Sequence, residues 1–301
     1  MPMLELKQVS LAYKDNKVLD GINLTAEKGE IIGLVAPNGT GKTTLFNVMA
    51  NFFKPDSGTV VFDGKHQYNR EKNVLKVHKQ LVSFPEQHDL FEDLSGKDHI
   101  KLYAKLWKGT TKHVQDIIDS LQMNSYVKRK VSTYSMGMRQ RLCFAMLVAT
   151  DATIMLMDEV MNGLDVENVN LISNQLIDMK KADKLIFVAS HLLSNLDIYA
   201  DRVLYLKGGH FIHEQNMHES NDTYLKVELA PAEYEKMDME HDLPEGHLHI
   251  AGHLLCIPLE GLDFKTQTEW ITLMLENKYA NVSIGSLGTV DYYERYYHEG
   301  Q

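Results

Sequence analysis

Cysteine is scarce in this chain: Cys143 and Cys256 are the two among 301 residues. They lie far apart, and neither has a partner at metal-site or redox-motif spacing. That excludes a disulfide-framed domain and points to free, buried thiols in a reducing compartment. Long hydrophobic runs are missing as well, with nothing approaching the roughly 20 residues that span a bilayer. The opening "MPMLELKQVS" lacks the basic start and apolar stretch of a secretion signal. The expectation is a cytoplasmic chain, unless a partner holds it at a membrane. Basic excess is absent too: the net charge is −10, which argues against a broad face for nucleic acid. The short cluster Lys128, Arg129, Lys130 reads as a solvated loop. No repeat or low-complexity tract is visible.

What is present is ordinary globular material, 44% hydrophobic and 24% charged, long enough for more than one domain. Apolar residues alternate at Leu4, Leu6, Val9 and Leu11, then in "VLDGINL" and "GTVVFDG", as in half-buried antiparallel strands. By contrast, "EIIGLVA" (30–36), "TIMLMD" (153–158) and "LIFVAS" (185–190) are apolar throughout, as in a parallel sheet covered on both faces. "VLYLKGGHFI" (203–212) predicts a hairpin closed at Gly208-Gly209. From about 95 to 150 the period turns helical. Ser95 and Asp98 form a capping-box pattern before "HIKLYAKLW". "HVQDIIDSLQM" follows, and "MRQRLCFAMLVAT" carries Leu142, Met146 and Ala149 on one side.

The stretch "VAPNGTGKTT" (35–44) nearly fits the phosphate-cradling loop G-x-x-x-x-G-K-[ST], with Ala36 at the first glycine position. A buried strand precedes it and a helical run follows. Backbone N–H groups of Asn38, Gly39, Thr40, Gly41 and Thr44 would face phosphate oxygens, helped by the helix dipole. Lys42 would set its ammonium against the β- and γ-phosphates, and the Thr43 hydroxyl would ligate Mg²⁺. A positive φ at residue 36 would cost alanine about 1–2 kcal/mol, whereas ordinary strand geometry would cost it nothing. Magnesium also needs a carboxylate at a neighbouring strand end. "TIMLMDE" supplies Asp158 for the metal and Glu159 as general base for the attacking water.

In this order, the motifs resemble the ATP-binding subunits of ABC transporters over roughly residues 3–215. "YSMGMRQRL" (134–142) resembles the family signature, usually L-S-G-G-Q, in the form seen with separate exporter membrane subunits for drugs, peptides or lipids. The resemblance implies that Ser135 and Gly137 serve the γ-phosphate bound by the opposite subunit. "NGLD" (162–165) resembles the D-loop, with Asp165 at its acidic position. "VASH" resembles the switch segment, with His191 on the γ-phosphate, and Tyr13 matches the aromatic that stacks on adenine. Aligned without a gap, "FPEQHDLFEDLS" puts Glu86 at the position of the family's metal-side glutamine and Gln87 one place later. Either could offer an oxygen to the metal.

The fold class that follows is α/β: a P-loop NTPase (RecA-like) core with an antiparallel β subdomain and an inserted helical lobe over about 88–150. It occupies residues 1–216. A polar stretch, "HESNDTY", leads into a small α+β accessory domain, 217–301. There "YLKVELA", "HLHIAGHLLCIPLEG" and "NVSIG" read as strands and "TQTEWITLMLENKY" as a helix. His247, His249 and His253 raise zinc, but no cysteine or carboxylate completes a ligand set, and exposed strand histidines are the favoured reading. The aromatic tail "DYYERYYHEG" fits helix packing or a partner surface. The expected function is an ATP-hydrolysing exporter subunit with ATP and Mg²⁺. Its implied partners are a second ATP-binding subunit, identical or related, and a polytopic permease that keeps it on the inner membrane face; nucleic acid is not expected. The alternatives are a non-transport ATPase of the same superfamily on ribosome or nucleic acid, and a non-hydrolysing regulatory subunit motivated by Ala36 and Glu86.

Overall fold

The computed structural model describes residues 2–14, 16–219, 222–277 and 279–298. Ser220 and Asn221, in the middle of "HESNDTY", lie outside the described residues. Contacts divide the chain into two units, Met1–Met217 and His218–Gln301.

The first unit begins with β1 (Leu4–Tyr13), β2 (Asn16–Ala26), β3 (Glu30–Val35), α1 (Lys42–Met49), β4 (Ser57–Phe62), β5 (His66–Gln67), α2 (Glu71–His78) and β6 (Leu81–Ser83). The lobe follows as α3 (Gly96–Lys108), α4 (Val114–Ser120) and α5 (Met136–Ala149). The unit closes with β7 (Ile154–Asp158), α6 (Val166–Lys181), β8 (Leu185–Ala189), α7 (Leu193–Tyr199), β9 (Arg202–Lys207) and β10 (His210–Asn216). The alternating strands form an antiparallel sheet, β2-β1-β4-β5. The fully apolar strands form the other sheet, β10-β9-β3-β8-β7-β6. All of its pairings are parallel except the β9–β10 hairpin. Strands β3 and β8 are buried almost end to end, which explains why their sequences do not alternate. Arg202 ties the start of β3 to β10, donating from Nε to Glu30 (2.6 Å) and from an η nitrogen to Glu214 (2.7 Å).

The helical lobe interrupts the chain between β6 and β7, which nonetheless pair directly. Helix α3 starts on the expected capping box: Ser95 Oγ accepts from the Asp98 N–H at 3.2 Å, and the Asp98 carboxylate accepts from the Ser95 N–H at 3.3 Å. Helix α5 departs from the one-sided reading. Besides Leu142, Met146 and Ala149, it buries Gln140, Cys143, Phe144, Ala145 and Leu147. The reason is its position, packed against α3 and α4 rather than lying on a surface. A helix covered on several sides shows no apolar stripe.

The second unit holds β11 (Tyr224–Glu228), α8 (Pro231–Glu240), β12 (Leu248–Ile250), β13 (Leu254–Pro258), α9 (Phe264–Glu276), β14 (Ala280–Gly285) and α10 (Thr289–Tyr297). Its sheet runs β12-β13-β11-β14, all antiparallel. Leu225, Val227, Leu255 and Ile257 pack on one face with Met237, Trp270 and Met274. Ile250, Cys256 and Leu287 pack on the other with Tyr292. The aromatic tail forms α10 as far as Tyr297, its Glu299 and Gly300 lying outside the described residues, and α8 has no counterpart among the expected elements. Its Glu233 accepts a 2.7 Å hydrogen bond from the Ala230 N–H and so caps the helix. His247 precedes β12 and its ring meets the Pro244 carbonyl at 3.1 Å, His249 stacks on Tyr234 at 3.6 Å, and His253 lies in a turn against the Ala251 carbonyl. Among the described residues no cluster of three His, Cys, Asp or Glu could hold a metal.

Both cysteines are free and fully buried. Burial pushes each thiol up to about 12, so almost no thiolate forms near neutrality. Iodoacetamide at pH 8 is expected to leave native Cys143 and Cys256 unmodified and to label both after denaturation. Mass spectrometry showing either alkylated in the native protein would contradict that burial.

Candidate functional site

Parallel pairing brings three chain segments to one sheet edge. Leu34 on β3 sits opposite Ala189 on β8, and Ala189 sits opposite Asp158 on β7. The loop before α1, the Asp158-Glu159 pair and the Ser190-His191 turn therefore leave the sheet side by side, at the carboxyl ends of parallel strands. They enclose a cleft of about 240 Å³ lined by Asn38, Gly39, Gly41, Lys42, Thr43, Thr44, Asp158, Glu159 and His191.

The loop's conformation explains its sequence. Gly39 and Gly41 have φ of 77° and 113°. A Cβ at residue 41 would come within 2.8 Å of Val18 Cγ1 and 3.1 Å of the Val18 carbonyl oxygen, so glycine is needed twice over. Ala36 does not adopt positive φ, so its methyl costs no backbone strain. Its contribution is a carbonyl: Lys42 Nζ donates to Ala36 O at 2.6 Å and to Pro37 O at 3.1 Å. The loop thus folds back over its own lysine, and Thr40 braces it by donating to Pro37 O at 2.7 Å. Burial lowers the Lys42 pKa, and the charges of Glu159 and Asp158 oppose that shift.

Thr43 Oγ1 donates to Asp158 Oδ2 at 2.6 Å, joining the start of α1 to the end of β7. A hydroxyl and a carboxylate held together are hard oxygen donors of the kind magnesium takes. Glu159 sits at φ 53°, in the left-handed region, a conformation that costs a residue with a Cβ about 1–2 kcal/mol. Its N–H donates to Ala189 O at 2.9 Å. His191 Nε2 lies 3.0 Å from Glu159 Oε1, without the alignment of a hydrogen bond. Burial raises the Glu159 pKa, and Asp158 adds to the rise while His191 and Lys42 oppose it. A carboxylate whose proton affinity is raised in this way is suited to accept a proton from water.

A larger cleft of about 990 Å³ adjoins Thr43, Asp158 and Glu159 and continues along Glu86, Gln87 and Gln140. It separates the two candidates for the metal-side position. Glu86 is largely exposed and pairs with His88 at 3.1 Å. Gln87 is half-buried and donates to Gln140 Oε1 at 2.5 Å. Gln140, which the sequence reading passed over, is 4% exposed, and its amide donates to Glu159 O at 2.9 Å and Val160 O at 2.8 Å. Flanked by Arg139 and Arg141, it gives no local sign of burial.

Other expected residues lie outside the smaller cleft. Tyr13 is half-exposed and packs edge-on against Phe53 at 6.2 Å. Ser135 caps α5, its hydroxyl accepting from the Met138 N–H at 3.3 Å. Gly137 faces the Gly163 carbonyl. Asp165 caps α6, accepting from the Asn168 N–H at 2.9 Å.

Comparison with known proteins gives this geometry a family. The family model described as "ABC transporter" matches residues 19–162. The uncharacterized ABC transporter ATP-binding protein YhcH of Bacillus subtilis is 31% identical over 247 residues, covering 80% of each chain. The bacitracin transport ATP-binding protein BcrA of Enterococcus faecalis is 29% identical over 233 residues, covering 76% of this chain and 75% of its own. Among solved structures, a dimeric bacterial ABC transporter cassette superposes with a TM-score of 0.65 at 22% identity. It covers 72% of this chain and all of the other. The structure of cbiO1 from Clostridium perfringens, part of a transporter complex, superposes at 0.63 and 24% identity, covering 72% and 89%. These likenesses establish the P-loop cassette fold, and the first relative establishes more: the chain belongs to the ABC transporter ATP-binding proteins.

Proposed function

We propose that this chain is the ATP-hydrolysing subunit of an ABC exporter, and that its turnover runs through the cleft between Lys42 and the Asp158-Glu159 pair. The observation that carries the reading is the convergence of Lys42, Thr43, Asp158, Glu159 and His191 on one sheet edge. The loop N–H groups around Gly39 and Gly41 receive the β-phosphate, and Lys42 neutralises the β- and γ-oxygens. Thr43 and Asp158 hold Mg²⁺, with the Gln87 carbonyl oxygen as the third protein donor in place of the exposed Glu86. When bound, the metal offsets phosphate charge and fixes the geometry of the triphosphate. Glu159 takes the proton of the attacking water, and His191 steadies the γ-phosphate while holding the Glu159 carboxylate in place. Tyr13 stacks on adenine from the antiparallel sheet.

Ser135, Gly137 and Asp165 act on the nucleotide of a second copy or a related chain. Their position outside this chain's own cleft supports that division of labour. The Ser135-capped start of α5 then presents N–H groups to the partner's γ-phosphate. Closure of the two copies on ATP is passed to a polytopic permease that keeps the chain on the inner membrane face. Among the described residues no helix is long and apolar enough to cross a membrane itself. Relatives named for bacitracin and lantibiotic transport favour export as the direction. The unit from His218 onward is an accessory domain. Neither motive for a non-hydrolysing subunit persists, because Ala36 is unstrained and Glu86 points to solvent. The test is magnesium-dependent phosphate release from the purified chain, with a polytopic protein co-purifying from solubilised membranes. A chain that binds ATP and releases no phosphate, alone or with that protein, would refute the reading.

A further inference from the structure

The Glu159 turn has an unusual support. Its left-handed peptide is held by Gln140, a nearly buried side chain on α5, which donates to the carbonyl oxygens of Glu159 (2.9 Å) and Val160 (2.8 Å). Two carbonyls can only accept, so the Gln140 amide nitrogen must face them. Its oxygen therefore faces Gln87, which must turn its own amide nitrogen inward. That orientation leaves the Gln87 carbonyl oxygen directed away from Gln140. One side chain thereby fixes both the peptide that carries the water-activating carboxylate and the orientation of the glutamine beside it. Gln140 also lies on the helix whose first turn is capped by Ser135.

We propose that Gln140 is a positioning residue for hydrolysis, setting the Glu159 backbone and the Gln87 amide together without touching nucleotide. The inference rests on the assignment of Glu159 as the base. Without the two donated hydrogen bonds, the Glu159 peptide relaxes from its left-handed conformation and the carboxylate leaves the line of attack. Nucleotide contacts through Lys42 and the loop are unaffected, so the loss falls on kcat rather than on affinity.

Gln140→Met keeps length and removes the donor. It is expected to lower kcat about tenfold with KM for ATP changing less than about threefold. Gln140→Glu sets a carboxylate against two carbonyls, and protonation restores one donor. The ratio of its kcat to that of wild type should therefore rise as pH falls from about 8 to 6, while the ratio for Gln140→Met stays flat. A purely packing role predicts that the Gln140→Glu ratio falls only where its melting temperature falls with pH, whereas a positioning role moves kcat at pH values where the variant is fully folded. Gln87→Met also removes the proposed metal donor and so should cost more than Gln140→Met, and pairing the two should cost less than the sum of the separate losses, because the two amides are hydrogen-bonded to each other. Wild-type kcat in Gln140→Met, or a flat ratio for Gln140→Glu, overturns the proposal. If Gln140→Met fails to melt cooperatively, the pH ratio decides alone. Glu159→Gln is run in parallel: if it retains turnover, the assignment of the base falls, not the role of Gln140.

Discussion

Glu159→Gln is expected to lower ATP turnover about a thousandfold while leaving ATP bound, the scale of losing a positioned general base. The amide keeps the size of the side chain and the contact with His191 but cannot accept water's proton. Bound ATP would then persist, and the variant should form a stable dimer in ATP, seen as a doubling of mass in light scattering. The same substitution should change stability in a pH-dependent way. Burial raises the Glu159 pKa above its ordinary value of 4.5. The folded chain therefore holds this proton to higher pH than the unfolded chain does. Between the two pKa values the folded state binds more protons, so wild-type stability falls as pH rises through that window. The variant lacks this loss. Its melting temperature should exceed wild type at pH 7.5, with the gap closing as pH falls to the ordinary carboxylate range. In wild type, the acidic limb of kcat should lie above the usual carboxylate pKa, because the base must be ionised. Undiminished phosphate release from Glu159→Gln would remove Glu159 from the mechanism.

Lys42→Met is expected to weaken ATP binding about a hundredfold, in the range for truncating one partner of a partly desolvated charge pair. The lysine is 7% exposed and its ammonium is already held by the Ala36 and Pro37 carbonyls. It is positioned before nucleotide arrives, so little side-chain entropy is lost on binding. Methionine has similar length and fits the same channel without a charge. Its loss also removes a group that opposes the rise in the Glu159 pKa, so the acidic limb of any residual activity should move further upward. Equilibrium titration with a fluorescent ATP analogue checks the affinity. An unchanged dissociation constant would mean that the cleft beside Lys42 is not where the triphosphate binds.

Much of this was written locally in the chain. Strand character of 30–36, 153–158 and 185–190 followed from apolar runs, because both faces of those strands are covered. The Ser95-Asp98 cap was legible because its partners lie three residues apart. Helix α8 was not, since its start rests on Pro231 and Glu233 rather than on an apolar period. Nor was the surrounding of α5, because helices that cover one another leave no stripe to read.

At the site, residue types and spacing determined the candidates for phosphate and metal: a glycine loop, a lysine, a threonine, and a carboxylate pair at a strand end. These are short-range chemistry, carried by neighbours in the chain. Tertiary structure alone decided the rest. It showed that Ala36 acts through a carbonyl at ordinary φ, and that Gln87 rather than Glu86 turns inward. It also placed Gln140 against a peptide 19 residues away in sequence. Those outcomes depend on where parallel strands and a buried helix bring distant backbone groups together, and no local pattern encodes a hydrogen bond between an amide and a far carbonyl.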